Sequence, residues 1–334
     1  MLSDDCPKMP VYRLMLRASS KYEYMPFGKG IHYAMDNYFG VGKRLLLIIN
    51  PVSGKRTILR MISDVISVLQ NEGFICTVLI TQKPEDTRRF TEMYAASHDR
   101  IVVAGGDGTL NQAVTGLAAL GLSMPLGYIP CGSTNDFARS MGLSSNIQAA
   151  ARQAASGTTT ELDIGRFGTE FFTYVAAFGM FTDTPYTTSQ YAKNVIGHAA
   201  YVIDGIINIG KYKTVNMQIT ADGEVFRGDY LFGAVCNSTS VAGVLTLPDD
   251  TVSLRDGLFE LLLIQAPDDP VDLPYILNGL VRQDYSSEHI TFKQCSEILI
   301  ENPERVEFSL DGERSQVYDS IQVTMLPRFL KLVR

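Results

Sequence analysis

Ile101-Val102-Val103-Ala104-Gly105-Gly106-Asp107-Gly108-Thr109-Leu110-Asn111-Gln112 changes character twice. Ile101 to Ala104 is an apolar run rich in β-branched residues, which reads as a buried strand. It runs into glycines, an Asp and a Thr, and then a helix begins, with Leu110, Val114 and Leu117 on one face and Thr109 as the expected N-cap. A strand turning on glycines into a helix places bare backbone N–H groups, at the positive end of a helix dipole, at the carboxyl edge of a sheet. An oligophosphate can approach there because no Cβ intervenes. An ordinary tight βα turn has the same glycines, so Asp107 is the informative residue. A carboxylate inside a phosphate cradle is electrostatically wrong unless a cation or a proton transfer accompanies it.

The surrounding chain supports a parallel sheet. Leu45 to Ile49 is a continuous apolar run of the kind a strand buried on both faces shows, and it ends in Asn50-Pro51-Val52-Ser53-Gly54-Lys55. A helix is predicted over 57–70, a strand over 74–80 ending at Thr81, and a second helix over 85–97. After the opening stretch, Leu126 to Ile129 reads as a strand leading into Pro130-Cys131-Gly132-Ser133-Thr134-Asn135-Asp136, where Asp136 opens another helix. A helix near 146–156 and Glu161-Leu162-Asp163-Ile164-Gly165 follow. The alternation of strand and helix predicts a doubly wound α/β domain over 43–165, with ligand loops gathered at the carboxyl ends of its strands.

From about residue 168 strand patterns dominate, at 171–178, 214–220, 225–236, 258–264, 297–301, 305–310 and 320–325, with a hairpin turn at Ala221-Asp222-Gly223-Glu224. Helices are predicted only at about 190–210 and 271–282. This half, 166–334, reads as an antiparallel β-sandwich domain whose last residues return to the first domain. Residues 1–42 mix Tyr and Phe with Lys and Arg without periodicity and read as an arm. Contact with a membrane surface, packing on the main body, and a true start at Met35 all remain open.

Composition narrows the function classes. The 334 residues are 46% hydrophobic and 19% charged, enough for two packed domains. With 29 basic against 36 acidic residues the net charge is −7, which argues against nucleic-acid binding and leaves room for a local basic patch. Five dispersed cysteines without CxxC spacing suggest neither a disulfide framework nor zinc, so a reducing cytoplasm is expected. The four histidines share no ligand spacing. No apolar run approaches the ~20 residues that span a bilayer, and Arg13 and Arg17 bracket too short an apolar stretch for a signal peptide.

Six motifs in order carry a family resemblance: Asn50-Pro51-Val52-Ser53-Gly54, Gly105-Gly106-Asp107-Gly108-Thr109, Gly132 through Arg139, Asp163-Ile164-Gly165, Asp256-Gly257 and Asp311-Gly312-Glu313. Over residues 43–334 the chain resembles the diacylglycerol kinase catalytic family, and within it the bacterial soluble lipid kinases of the diacylglycerol and YegS-like type. The resemblance implies an ATP- and Mg²⁺-dependent lipid kinase with an NAD kinase/phosphofructokinase-like α/β domain, a β-sandwich and a cleft between them. It places nucleotide contacts at Asn50, Pro51, Val52, Ser53, Gly54, Thr81, Gly106, Asp107, Gly108, Thr109, Leu110, Asn111, Gln112 and Ser133. It puts the catalytic base at Glu313, and magnesium at Asp256 with carbonyls at Ser253 and Leu258. Asp107, Asp136 and Asp163 match acidic residues linked to metal through water. These roles agree with what phosphoryl transfer needs: a held γ-phosphate, neutralised charge and a hydroxyl relieved of its proton.

Three features depart from the family's pattern. Ser133 replaces the usual Thr while keeping a hydroxyl, Arg255 stands where an acidic residue is common, and residues 50–55 lack the GxxxxGK[ST] spacing of a Walker A loop. The implied acceptor is diacylglycerol, converted to phosphatidic acid, with a sphingoid base, ceramide or phosphatidylglycerol as alternatives. An NAD kinase also uses a GGDGT loop, but no Asn-Glu dipeptide follows it here, since Asn71-Glu72 lies upstream. A catalytically silent nucleotide sensor would need neither Glu313 nor Asp256. Without a membrane span the enzyme is expected to work as a peripheral protein at a membrane surface. Lys193, Lys211, Lys213 and Arg139 are candidate contacts, and a homodimer is the expectation for assembly.

Overall fold

The computed structural model describes residues 42–133, 135–180, 213–238, 240–241, 245–247 and 252–334. The N-terminal arm, the helix expected over 190–210, Lys193 and Lys211 lie outside the described residues. The first strands are β1 (Lys43–Ile49), β2 (Phe74–Ile80), β3 (Arg100–Gly105) and β4 (Pro125–Pro130). The helices between and after them are α1 (Ile62–Asn71), α2 (Asp86–Tyr94), α3 (Asp107–Ala119), α4 (Asp136–Ser140) and α5 (Ile147–Ser156). The strands run parallel in the order β2-β1-β3-β4.

Alternation along β1 explains the two helical layers. Leu46 and Ile48 point to one face and pack with Leu110, Val114 and Leu117 of α3. Leu45, Leu47 and Ile49 point to the other, against Val65 and Leu69 of α1 and the alanines of α5. Both faces are therefore dry, and the strand reads as an unbroken apolar run because neither side meets water.

The helical boundaries differ from the sequence reading in three places. The segment expected as one helix over 57–70 is a 3-10 turn, Thr57–Arg60, followed by α1, because Met61 between them leaves helical geometry at φ −114° and ψ 8°. The helix expected over 85–97 stops at Tyr94 and tightens into a 3-10 turn, Ala95–Ser97. Helix α3 begins at Asp107 with Gly106 as its N-cap, so Thr109 is not the cap. Thr109 sits buried in the first turn, with its hydroxyl accepting a hydrogen bond from Asn50.

The remaining strands are β5 (Thr159–Phe167), β6 (Glu170–Phe172), β7 (Val175–Gly179), β8 (Val215–Ala221), β9 (Glu224–Cys236), the short pair β10 (Ser240–Val241) and β11 (Leu245–Thr246), and β12 (Phe259–Gln265). They continue as β13 (Ile290–Cys295), β14 (Glu297–Glu301), β15 (Ser309–Leu310), β16 (Glu313–Arg314) and β17 (Ser320–Val333), with helix α6 at Leu273–Val281. Pairing is antiparallel in the order β16-β15-β7-β9-β8-β14-β17, and β12 joins β9 to β13. The fold is thus a parallel α/β layer plus an antiparallel β-sandwich. The sandwich core gathers Phe167, Phe172, Phe178, Phe259 and Phe308, while α6 covers a second cluster through Leu273, Ile276 and Leu280. The expected hairpin turn closes β8 onto β9, with Ala221 opposite Glu224.

Of the strand expected over 305–310 only Ser309–Leu310 forms, because the Asn302 side chain ties up the Val306 backbone and Arg305 is left-handed. The strand expected over 171–178 divides into β6 and β7 at Thr173-Tyr174, whose N–H groups go to a side chain instead of a neighbouring strand. Strands β5 and β13 were not expected: the first carries Asp163 among its apolar residues and the second carries Lys293 and Gln294.

Strand β17 stitches the two layers together. Its first part pairs with β14 and β5, a register shift falls between Leu326 and Leu330, and Lys331 to Val333 then run parallel to Pro125 to Gly127 of β4. Leu332 is fully buried at this seam. Leu332→Ala is expected to lower folding stability by about 2–5 kcal/mol, read as a lower midpoint in urea unfolding of the full chain.

Candidate active site

Four loops meet at the carboxyl ends of the parallel strands. After β1, Asn50 donates its backbone N–H to Ala104 O at 2.9 Å and its side-chain amide to Thr109 Oγ1 at 3.1 Å, while its own Oδ1 accepts the N–H of Val52 at 3.1 Å. That fixes the turn through Pro51, Val52, Ser53 and Gly54 and leaves Val52 65% exposed at the rim. Thr81, after β2, is buried and bonds Ile49 O through its N–H at 2.9 Å. After β4, Gly132 lies so close to Gly106 that a Cβ on it would come 2.7 Å from the Gly106 Cα. Side chains are excluded from this contact, so the floor of the cradle is main chain at the N-terminus of α3. Ser133 stands exposed beside it. Leu110 is buried in the core beneath, and Asn111 and Gln112 are half-buried on the next turn of α3.

Glu313 reaches this cradle from the far end of the chain. A Cβ on Gly108 would lie 2.7 Å from Glu313 Oε1, so the carboxyl group rests directly on the first turn of α3. What holds it there is Asp311. The buried Asp311 carboxylate accepts the Thr173 N–H and hydroxyl at 2.6 and 2.7 Å and the Asn111 amide at 2.8 Å. Its other oxygen accepts the Tyr174 and Val175 N–H groups at 3.0 Å each, and the Tyr174 hydroxyl donates to Asp311 O at 3.0 Å. Residue 311 is left-handed at φ 52° and Gly312 follows at φ 90°, turning the chain so that Glu313 projects onto α3. Glu313 is exposed as a residue, and partial desolvation of its carboxyl against α3, with the Glu85 carboxylate as a smaller contributor, moves it above its ordinary value.

The acidic residues form two separate arrangements. Asp107 accepts the Asp136 N–H at 2.9 Å and so caps α4 from α3, with the Tyr128 hydroxyl reaching both Asp107 and Asn135. Burial, opposed by that backbone bond and reinforced by the Asp136 charge, raises Asp107 to about 6. Asp163 is almost completely buried and accepts the N–H of Gly257 at 2.8 Å and of Arg328 at 2.6 Å. It thereby pins the loop carrying Ser253, Asp256 and Leu258 to the register shift in β17. Ser253 and Asp256 are exposed and Leu258 is half-buried, with its N–H bonded to Asp256 Oδ1 at 3.1 Å.

The site contains residues that reading the sequence did not single out. Asp311 was visible only as a motif member, and the signal for Tyr128 was a lone hydroxyl inside an apolar strand. Asn237 and Glu260 gave none. Glu260 is buried in β12, with Oε2 lacking a partner, and burial raises it to about 7.

Comparison with known proteins follows the same outline. Residues 44–167 match the diacylglycerol kinase catalytic domain model, and residues 184–334 match the YegS C-terminal NAD kinase beta sandwich-like domain. A Staphylococcus saprophyticus protein named diacylglycerol kinase is 32% identical over 81% of this chain and 89% of its own length. A Bacillus subtilis protein of the same name is 30% identical over 81% and 90%. A crystal structure of a diacylglycerol kinase from Bacillus anthracis str. Sterne superposes with a TM-score of 0.71 at 24% identity, covering 88% of this chain and 97% of that one.

The raised value of Asp107 has a consequence for stability. A carboxyl that binds its proton more tightly in the folded state stabilises the fold at low pH and loses that contribution as pH rises from about 4 through 6. Asp107→Asn is therefore expected to stabilise the ligand-free protein at pH 8 by ~2 kcal/mol and to flatten the rise in urea midpoint that the wild type shows on acidification toward pH 5.

Proposed function

Because the chain belongs to the diacylglycerol kinase family and is a kinase, we propose that it transfers the γ-phosphoryl group of ATP to the free hydroxyl of a lipid alcohol, diacylglycerol, giving phosphatidic acid. The observation that carries this reading is the Glu313 carboxyl resting on Gly108, at the helix end where a triphosphate would lie. The triphosphate lies against the bare backbone of Gly106 to Thr109 and of Gly132-Ser133, with Asn50 to Gly54 and Thr81 closing the nucleotide side. In the transfer a bond forms between the lipid hydroxyl oxygen and the γ-phosphorus as the bond from that phosphorus to the bridging oxygen of ADP breaks. Glu313 Oε1 or Oε2 takes the hydroxyl proton. Its raised proton affinity makes it a stronger base than an open carboxylate, and the rate falls as acid protonates it.

The donor set suits a magnesium ion. A single exposed carboxylate, Asp256, on a loop held rigid by Asp163, with carbonyls at Ser253 and Leu258, leaves most coordination positions to water and phosphate, as that ion prefers. When bound, the ion supplies neutralisation of phosphate charge. Asp107 and Asp136 extend acidic groups toward the same cleft and are assigned to water-mediated contacts. No helix among the described residues is long and apolar enough to cross a membrane. The protein is read as a cytoplasmic enzyme that meets its substrate at the bilayer surface, with exposed Lys213 as a candidate contact. Arg139 is a weaker one, since it pairs with Asp136 at 3.3 Å.

Incubated with Mg²⁺, labelled ATP and a total lipid extract, the protein is expected to label phosphatidic acid. Glu313→Gln should lower kcat by about 10²–10⁴-fold while nucleotide affinity, measured by calorimetry with ADP, stays unchanged. Label found only on NAD, or an unaltered rate in the variant, would remove this assignment.

A further inference from the structure

Asn111 has a role that its place in the glycine motif does not suggest. The family resemblance sets it among the nucleotide contacts, but its side chain is spent in another direction. Both amide hydrogens are committed, one to Asp311 Oδ2 at 2.8 Å and one to the carbonyl oxygen of Phe171 at 3.1 Å. Phe171 O only accepts, so the amide fits one way round, with its NH₂ toward the β15–β16 hairpin and β6. Its Oδ1 is reached by the Thr115 hydroxyl at 3.4 Å. No donor of that side chain is left over for a phosphate.

Helical spacing gives these bonds their meaning. Gly108 and Asn111 are three residues apart on α3, so they stand one above the other on the same face. The hairpin touches that face at both positions. A Cβ on Gly108 would lie 2.7 Å from Glu313 Oε1, and Asp311 Oδ2 takes the Asn111 amide one turn further on. The N–H groups of the phosphate cradle belong to the first turn of the same helix. One rigid rod therefore carries the cradle at its end and the anchor of the carboxyl-bearing hairpin one turn below it. A neutral amide suits the task. Asp311 is already buried and negative, so a carboxylate at 111 would repel it, and an alkyl side chain would leave its Oδ2 with the Thr173 donors alone.

Building on the lipid-kinase reading, with Glu313 as the base, we infer that Asn111 is a positioning residue. Acting through Asp311, it fixes the distance from the Glu313 carboxyl to the phosphate cradle, and its side chain takes no part in nucleotide binding. The charged groups beside Glu313 do not change when Asn111 is replaced: Glu85 before α2, Asp107 turned toward α4, Asp311 of the same hairpin, and Arg314, which pairs with Glu307. A change in how Glu313 titrates in such a variant therefore reports movement of the carboxyl itself.

The experiment uses the full chain with Mg²⁺, ATP and dioctanoylglycerol in neutral mixed micelles for turnover, and calorimetry with ADP for binding. Asn111→Ala is expected to lower kcat about 10–100-fold and to leave ADP affinity and KM for ATP unchanged. The acidic limb of its kcat profile should move to lower pH, because a carboxyl swung off α3 regains water. Added to Glu313→Gln, the same substitution should cost nothing more in kcat, since two residues that act through one carboxyl are not additive. Asn111→Ser keeps one donor and should fall between the two enzymes, and it carries the test if Asn111→Ala does not fold. Weaker ADP binding with an unaltered kcat, an unmoved acidic limb, or a further loss of rate on top of Glu313→Gln would overturn the inference. If the wild type phosphorylates no lipid, the kinase reading fails. Amide hydrogen exchange over 311–315, expected to quicken in Asn111→Ala, then still decides whether Asn111 holds the hairpin, and unchanged exchange there overturns that as well.

Discussion

The Asp311 carboxylate ties together three parts of the chain: the β15–β16 turn, the break between β6 and β7, and helix α3. Its acceptor positions are taken by the N–H groups at the break between β6 and β7, by the Thr173 hydroxyl and by the Asn111 amide, which lies 200 residues away on α3. Burial pushes this carboxyl up while the bonds from Thr173, Tyr174 and Val175 pull it down, and the donors can be satisfied only by an acceptor that remains in place. The position of Glu313 follows. A turn held at one end by five hydrogen bonds cannot drift, so the glutamate two residues on is delivered to the same spot above Gly108 each time the chain folds. Removing the Asp311 side chain would leave buried main-chain donors unpaired as well as freeing the glutamate. Fold stability and the placement of Glu313 are thus coupled through one group.

Asp163 does for the other wall of the cleft what Asp311 does for this one. It lies inside a strand, almost fully buried, and spends both oxygens on main-chain N–H groups, one in the Asp256 loop and one in β17. The same side chain therefore positions a candidate metal loop against the strand that stitches the two layers. Asp107 repeats the pattern by capping α4. Three acids that a motif search would group as one cluster are thus first of all acceptors for backbone donors. Their negative charge in the cleft is a consequence of that placement.

The parallel layer was legible because its inner strands β1, β3 and β4 are dry on both faces, so Leu45 to Ile49 and Ile101 to Ala104 announce themselves as apolar runs. The glycine loops after them were legible because strand-turn-helix geometry requires them. What could not be read was anything set by partners distant in sequence. The break at Thr173-Tyr174 exists because Asp311 takes its donors, and the loss of strand before Ser309 exists because Asn302 takes its own. Strand β13 hides because it lies at a sheet edge beside β12, where Lys293 is half-buried and Gln294 exposed, so its apolar alternation is broken. The helix cap was misplaced by a similar competition. Thr109 has the chemistry of a cap, yet its hydroxyl is already committed to Asn50, and a glycine in extended conformation does the capping instead.

The GGDGT stretch brings these points together. Read alone, its Asp looked misplaced in a phosphate cradle, and its glycines matched those of an ordinary tight turn. In the fold each glycine answers to a different neighbour: Gly106 to the backbone of Gly132, and Gly108 to the carboxyl of Glu313. Asp107 points away from the bare N–H groups toward the start of α4, so the dipole end of α3 stays open to an anion while the carboxylate is occupied elsewhere. Bare N–H groups and a carboxylate can share one loop because the loop presents them to opposite sides. The negative charge that Asp107 then adds to the cleft sits beyond the cradle, on the side where Asp136 lies.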